Sequence, residues 1–272
     1  MSSTAANRPV RITGLILRYS CLLYIGVVLI FPLAGLVVKA ASAGPVRIWA
    51  EISNPFAWHA IWLSLTTAVV MVGISVVTGT ATAWVLARYE FPGKGLINAL
   101  VDLPFSVPTI VTGLMLVALF GPTSTLGVVL SGFGLNIIYH QSGIVLALLF
   151  VCFPFVVRSV QPVLENLDPA EEEAAATMGA GRWMIFTRVI LPALYPAIIS
   201  GAGLAFSRAL GEFGSVVMVA GNRPMSTKTA PLYIYGEVEG FNIEGALAIS
   251  LVLLSASLLS LVVASRWARG RG

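Results

Sequence analysis

Two charged residues sit where a charge is costly. Arg208 and Glu212 stand four residues apart in Ser207-Arg208-Ala209-Leu210-Gly211-Glu212-Phe213-Gly214, within an otherwise apolar run. A charge at the centre of a membrane helix costs about 2.5–3.5 kcal/mol on insertion scales, so each needs a partner or a task. At i,i+4 spacing the two share a helix face and can neutralise one another. They also suit an anion route. Arg208 would offset the charge of a passing anion, Glu212 would keep that anion from being trapped, and Ser207 would line the same path. Arg before Glu is the weaker orientation of such a pair, which leaves open partners on another helix or subunit.

Other chemistries find little support. Cys21 and Cys152 each stand alone in an apolar run, which makes neither a disulfide framework nor a metal site. His59 and His140 have no Cys or His at ligand spacing. No catalytic residue and no metal site are therefore expected. Phe91-Pro92-Gly93-Lys94-Gly95 lacks the Ser/Thr after Lys and the Gly five residues earlier that a phosphate-binding loop requires. If ATP is used, it is expected on another chain, and no cofactor is expected on this one.

The elements that must hold these residues are read from composition. Of 272 residues, 57% are hydrophobic and only 10% charged, against about 25% charged in a soluble domain. Much of the surface must therefore face lipid. Several runs reach the ~20 apolar residues that cross a bilayer. Six spans are expected, at Tyr19–Val38, Ala60–Leu86, Ile97–Phe120, Ile144–Val160, Leu194–Ala220 and Gly245–Ser265. The fold class is an all-α integral membrane protein, one transmembrane domain over 1–272. Pro104 and Pro108 predict a kink in the third span, with Asp102 capping the N–H groups that the break frees. Gly201, Gly203, Gly211 and Gly214 are expected to permit close helix packing. The first run is longer than a signal-peptide core and is read as a retained span, with cleavage after Ala41-Ser42-Ala43 as the alternative.

The basic residues orient the spans. With a cytoplasmic N-terminus, the inner segments hold Arg8, Arg11, Arg18, Arg88, Lys94, Arg158, Arg182, Arg188, Arg266, Arg269 and Arg271. The outer ones hold Lys39, Arg47, Arg223 and Lys228. This asymmetry predicts both termini, and the loop after the fourth span, in the cytoplasm. The net charge of +4 is spread over span ends rather than gathered in a patch, so no nucleic-acid partner is expected. Of the outer segments, Leu126–Leu130 could form a short helix on the membrane surface, and Asn222–Glu244 is polar.

The inner loop at 165–192 reads as two short helices. Asp168 is placed as N-cap, Pro169 as first helical residue, and Glu171 completes a capping-box-like start. Gly179 is placed to end the first helix in the left-handed region. A second helix, about Arg182 to Ile190, would present Trp183, Phe186 and Val189, and Pro192 would stop it. An amphipathic linker lying on the membrane would explain the second helix. It would not explain Glu171, Glu172 and Glu173, which anionic headgroups repel.

The pattern Glu173-Ala174-Ala175, three residues, Gly179, nine residues, Val189-x-Leu191-Pro192 resembles the EAA loop of ABC importer permeases. That resemblance implies a type I ABC importer permease fold with a core over 60–266. It also implies ATPase coupling through Glu173, Ala174, Ala175 and Gly179. Val189 stands where the family often has Ile. Arg88-Tyr89-x-Phe91-Pro92-Gly93, Asp102-Leu103-Pro104-Phe105, Pro154-Phe155-Val156-Val157-Arg158, Val160-Gln161-Pro162-Val163-Leu164-Glu165 and Arg208-x-Leu210-Gly211-Glu212-Phe213-Gly214 are similar to sulfate/thiosulfate permease subunits of the first type. The resemblance implies a bacterial inner-membrane complex. Its other members would be a second homologous permease, two ATPase subunits carrying ATP and Mg, and an extracytoplasmic sulfate-binding protein. The Leu-Gly-Glu-Phe-Gly element is also similar to molybdate permeases, so a molybdate or tungstate importer is an alternative. An ion-coupled secondary transporter is another; it would leave the loop unexplained, and no internal repeat of the kind such transporters carry is visible.

Overall fold

The computed structural model describes residues 8–269, and these are helices and short connections without strands. Arg271 and both chain termini lie outside the described residues, as do the side chains of Arg8, Arg11 and Arg269. α1 (Arg8–Ile25) runs through a π-helical turn, Gly26–Ile30, into α2 (Phe31–Ala43), followed by α3 (Pro45–Ile52) and α4 (Pro55–Arg88). α5 (Lys94–Ser106), α6 (Thr109–Phe120), α7 (Thr125–Gly132) and α8 (Gln141–Asn166) come next. Then follow α9 (Pro169–Thr177), α10 (Arg182–Ile185), a second π turn at Phe186–Ile190, and α11 (Leu191–Leu210). α12 (Gly214–Ala220), α13 (Ala230–Glu239) and α14 (Ile243–Arg269) complete the chain.

Among the described residues, five helices are long and apolar enough to cross a membrane: Leu17–Ala43, Pro55–Arg88, Gln141–Asn166, Arg182–Leu210 and Ile243–Ala268. α5 and α6 pass the same test only together, bent by 113°. Whether that pair crosses is decided by its neighbours. The first halves of α4 and α8 meet where Ser64 and Ile144 wall one small cavity. Further along, a Cβ on Gly79 would lie 3.0 Å from the Val156 Cβ. At the far end Arg88 pairs with Glu172, just beyond α8. α4 and α8 are therefore parallel, and the chain between them must return across the membrane. Only α5 and α6 can do that, so the bent pair is the sixth span.

The bend is larger than a kink and has a single cause. Pro104 stays inside α5, whereas Val107 is extended (φ −86°, ψ 127°) and Pro108 opens α6. A residue before proline is pushed out of the α region. Asp102 is not the cap that the sequence suggested. Pro108 occupies the N-cap position of α6 without a side-chain bond, and Asp102 is engaged elsewhere.

Two further boundaries differ from expectation. Pro192 does not stop the helix before the fifth span. Across the π turn the Leu191 N–H reaches back to the Phe186 carbonyl, and the helix runs on from Arg182 to Leu210. A π turn widens the backbone just where the proline ring would strike a carbonyl one turn back. The same device precedes Pro32, where the Phe31 N–H bonds the Gly26 carbonyl. The fifth span is also not continuous to Ala220. It ends at Leu210, and α12 starts only at Gly214. The Leu126–Leu130 stretch lies in α7, capped by Ser124, whose Oγ accepts from the Gly127 N–H at 3.0 Å. The polar segment from Asn222 contains α13, which buries Leu232 and Tyr233.

The core lies between α4, α8 and α11, where Met71, Leu86, Val156, Val157, Val160 and Leu194 are buried. Outside it, Leu22, Leu23, Val77 and Leu259 are more than half exposed, as a lipid-facing belt requires. The Leu17–Ala43 span buries none of its apolar window within the chain. α11 and α14 are antiparallel. A Cβ on Gly203 would meet the Ala264 Cβ at 2.6 Å, and the Ser207 hydroxyl bonds the Ser260 hydroxyl at 2.7 Å. Arg266 therefore lies at the same end as the loop at 165–192. Gly201 and Gly203 permit close approach as expected, whereas Gly211 has no atom nearer than 3.9 Å to its missing Cβ.

Candidate functional site

α9 is built by its own local signals. The Asp168 carboxylate accepts from the Ala170 N–H at 2.9 Å, and Pro169 fills the first helical position. The capping box is only half realised, because the cap bond goes to Ala170 and Glu171 is exposed. At the other end Gly179 has φ +86°. Its N–H bonds the Ala176 carbonyl at 2.9 Å, and the Ala180 N–H bonds the Ala175 carbonyl at 3.0 Å. This paired closure requires a left-handed residue, which glycine supplies without strain.

The four residues expected to couple do not share one environment. Glu173, Ala174 and Gly179 are exposed, and Ala175 is buried. Ala175 and Gly179 line one open groove with Met178, Met184, Ile185 and Arg188. Met178 is 83% and Trp183 77% exposed, so the loop carries large apolar side chains left mostly open among the described residues. Glu172 turns the other way and pairs with Arg88 at the end of α4. The Arg88 guanidinium lies 5.5 Å over the Trp84 ring, Trp84 meets Phe186 edge-on at 5.6 Å, and Phe186 stacks on Trp183 at 5.8 Å. Sequence reasoning found Trp183 and Phe186 but missed this chain of contacts. The signal available was Arg88 in the last turn of α4, too distant in sequence to connect with Glu172.

A second polar cluster lies at the same end. Arg158 donates to both Asp102 oxygens at 2.7 Å, to the Asn98 carboxamide and carbonyl oxygens at 2.8 Å, and to the Gln161 carboxamide oxygen at 2.7 Å. All of its donor directions are used, as a planar guanidinium favours. Asp102 thus clamps α5 to α8 beside the break.

The break after α11 holds the other candidates. Arg208 Nη1 lies 2.7 Å from Glu212 Oε2, so the pair is internal to the chain. Glu212 is buried, whereas the Arg208 side chain is 35% exposed. The other Glu212 oxygen accepts from the Ser215 N–H and hydroxyl, both at 2.9 Å, and so caps α12. A free carboxylate finds its best partners at unsatisfied helix-start N–H groups, which explains why the helix yields at Gly211. The Ser207 hydroxyl bonds the Ser257 carbonyl at 3.1 Å as well as Ser260. Ser207 also lines an open apolar cavity with Leu210, Phe213 and Tyr235. The structure brings Ser207, Arg208 and Glu212 to one break, while Asp102, Pro104 and Pro108 belong to the other broken span. No group of three or more His, Cys, Asp or Glu side chains among the described residues has the spacing of a metal site.

Residues 75–269 match the family described as "Binding-protein-dependent transport system inner membrane component". The sulfate transport system permease protein CysT of Escherichia coli (strain K12) is 44% identical over 88% of this chain and 87% of its own length. The protein of the same name from Synechocystis sp. (strain ATCC 27184 / PCC 6803 / Kazusa) is 40% identical over 91% and 88%. Among solved structures, a chain of a bacterial alginate ABC transporter in complex with a pentasaccharide-bound periplasmic protein superposes with TM-score 0.75, covering 95% of this chain and 96% of that one at 19% identity. A chain of the inward-facing MetNI methionine ABC transporter gives TM-score 0.60 over 81% and 99%, also at 19% identity. At such identities the likeness is one of fold, a multi-pass helical membrane fold. With its broken third span, its exposed loop after α8 and these matches, the chain belongs to the family of binding-protein-dependent transport system inner membrane components.

Proposed function

We propose that this chain is the permease subunit of an ATP-driven importer that carries sulfate and thiosulfate across the bacterial cytoplasmic membrane. The observation that carries the cargo is the 44% identity to the Escherichia coli sulfate permease protein over most of both chains. In this reading the loop end of the molecule is cytoplasmic, as are both termini. Arg88, Lys94, Arg158, Arg182, Arg188 and Arg266 gather there, in keeping with the positive-inside rule.

ATP and Mg stay with two partner ATPase subunits. The segment around Lys94 does not fit them: it is spent on helix geometry, with Gly93 (φ +88°) opening α5 and Lys94 paired to Glu90 at 2.7 Å. α9 is the contact to the ATPase. Its exposed Glu173 and Ala174, with the groove at Ala175 and Gly179, present charge and small side chains to a protein surface. A second, homologous permease covers the apolar faces left open here, and an extracytoplasmic sulfate-binding protein delivers the anion. Arg208 lies on the route of the anion. Its partly exposed side chain offers attraction, and the Glu212 carboxylate at 2.7 Å keeps that attraction weak enough for release. Ser207 contributes from the adjoining cavity wall.

The test is labelled sulfate uptake in cells lacking this chain and complemented with it. Uptake that thiosulfate suppresses and molybdate does not supports the cargo; suppression by molybdate alone makes the chain a molybdate permease. For the loop, Glu173→Lys or Gly179→Pro inserts normally and abolishes uptake. Proline cannot adopt φ +86° and removes the N–H bonded to Ala176. Normal uptake in either variant contradicts the coupling role. For the route, Arg208→Lys and Arg208→Gln lower uptake in assembled complexes; wild-type rates in both remove Arg208 from the pathway.

A further inference from the structure

α9 is joined by the chain to α8 and α10, but not to α4. The only ion pair that bridges α9 to another helix among the described residues is Glu172 with Arg88, in the last turn of α4. Both side chains are about three-quarters buried, at 23% and 26% exposure, so solvent and salt screen the pair less than a surface pair. The guanidinium is braced from behind by the Trp84 ring, which itself abuts Phe186. The position of α9 is therefore fixed relative to α4 by a contact that chain connectivity does not supply.

What lies beyond Arg88 gives the contact its meaning. α4 is 34 residues long, about 51 Å at 1.5 Å per residue, and its one proline, Pro55, stands at its start. The other spans that flank the loop are softer. α8 contains Pro154 and Pro162, and the fifth span carries a π turn, Pro196 inside α11 and the break after Leu210. Near the far end of α4, the Ser64 hydroxyl accepts from the Ala230 N–H at 2.8 Å, at the first residue of α13. Ser64 and Thr67 also wall the small cavity that touches Glu212. A rigid rod thus joins the loop end to the break that holds the Arg208–Glu212 pair and to the start of α13.

We infer that α4 transmits movement of α9 to the far side of the permease, with Glu172 and Arg88 as the positioning pair that engages the rod. This rests on the reading that α9 meets the ATPase, and it assigns the two adjacent glutamates different tasks. Glu173 faces the partner, and Glu172 faces inward to α4.

The test is a double-mutant cycle in the reconstituted importer, with uptake normalised to assembled complex. Glu172→Gln and Arg88→Gln each lower sulfate uptake by about ten-fold, and the double variant is no worse than either single one. In each, the ATPase still co-purifies, and ATP hydrolysis ceases to rise when sulfate-loaded binding protein is added. Arg88→Lys, which keeps a charge for the single contact, holds uptake within about three-fold of wild type. A double variant that multiplies the two losses, a single variant that transports normally, an Arg88→Lys loss as deep as that of Arg88→Gln, or loss of the ATPase from the complex would each overturn the inference. Failure of the coupling reading itself is seen separately, as normal uptake in Glu173→Lys.

Discussion

The loop at 165–192 and the break at 211–213 both carry carboxylates where a helix is interrupted, and they treat their charges in opposite ways. At the break the carboxylate is consumed internally: Glu212 serves Arg208 with one oxygen and Ser215 with the other. At the loop, Glu171 and Glu173 remain exposed on α9, and Met178 and Trp183 stand uncovered. Only Glu172 is drawn inward. A carboxylate in a low-dielectric interior must be paired, because unpaired burial costs several kcal/mol. In water the same group is free to await a partner. The difference separates residues that hold the permease together from residues that connect it to something else.

Substitutions ordered by their effect on permease stability sharpen this contrast. Glu212→Leu has the largest effect, a loss of about 3 kcal/mol, because it strips Arg208 and the start of α12 of their partner; the value is kept low since Arg208 is 35% exposed. Thermal unfolding in detergent and the yield of assembled complex measure it, and unchanged stability would show that the pair does not hold the break. Gly203→Val follows at about 2 kcal/mol, since its side chain would press on Ala264, 2.6 Å from the first added carbon. Ser207→Ala removes the hydroxyl bond to α14 and costs about 0.6 kcal/mol in the same assay. Its uptake then reports on the pathway rather than on folding. Glu173→Lys has the smallest structural effect, within about 0.5 kcal/mol as for other exposed positions. A Glu173→Lys permease as unstable as Glu212→Leu would erase the distinction between the two regions.

The sequence made legible what local signals control. The N-cap at Asp168, the left-handed Gly179 and the limits of α9 follow from a few neighbouring residues, and the structure has them where the spacing put them. The spans followed from apolar run length, and the six crossings hold once the parallel course of α4 and α8 is considered. What was not legible depends on contacts across the fold. Asp102 looked like a cap because it precedes a proline break, but Arg158, 56 residues away, claims both its oxygens. The apolar run from Leu194 to Ala220 looked continuous because hydropathy does not register a carboxylate that caps the next helix. Pro192 looked like a stop because a π turn, which absorbs it, leaves no mark in composition. The Arg88–Glu172 pair spans 84 residues and had no local signal at all.

The most direct test of the account is labelled sulfate uptake per membrane-inserted permease, with Glu173→Lys set against wild type in cells lacking the native chain. The account predicts a normal amount of inserted permease and uptake reduced to background. Uptake at the wild-type rate would contradict it, because the exposed face of α9 would then have no part in driving transport.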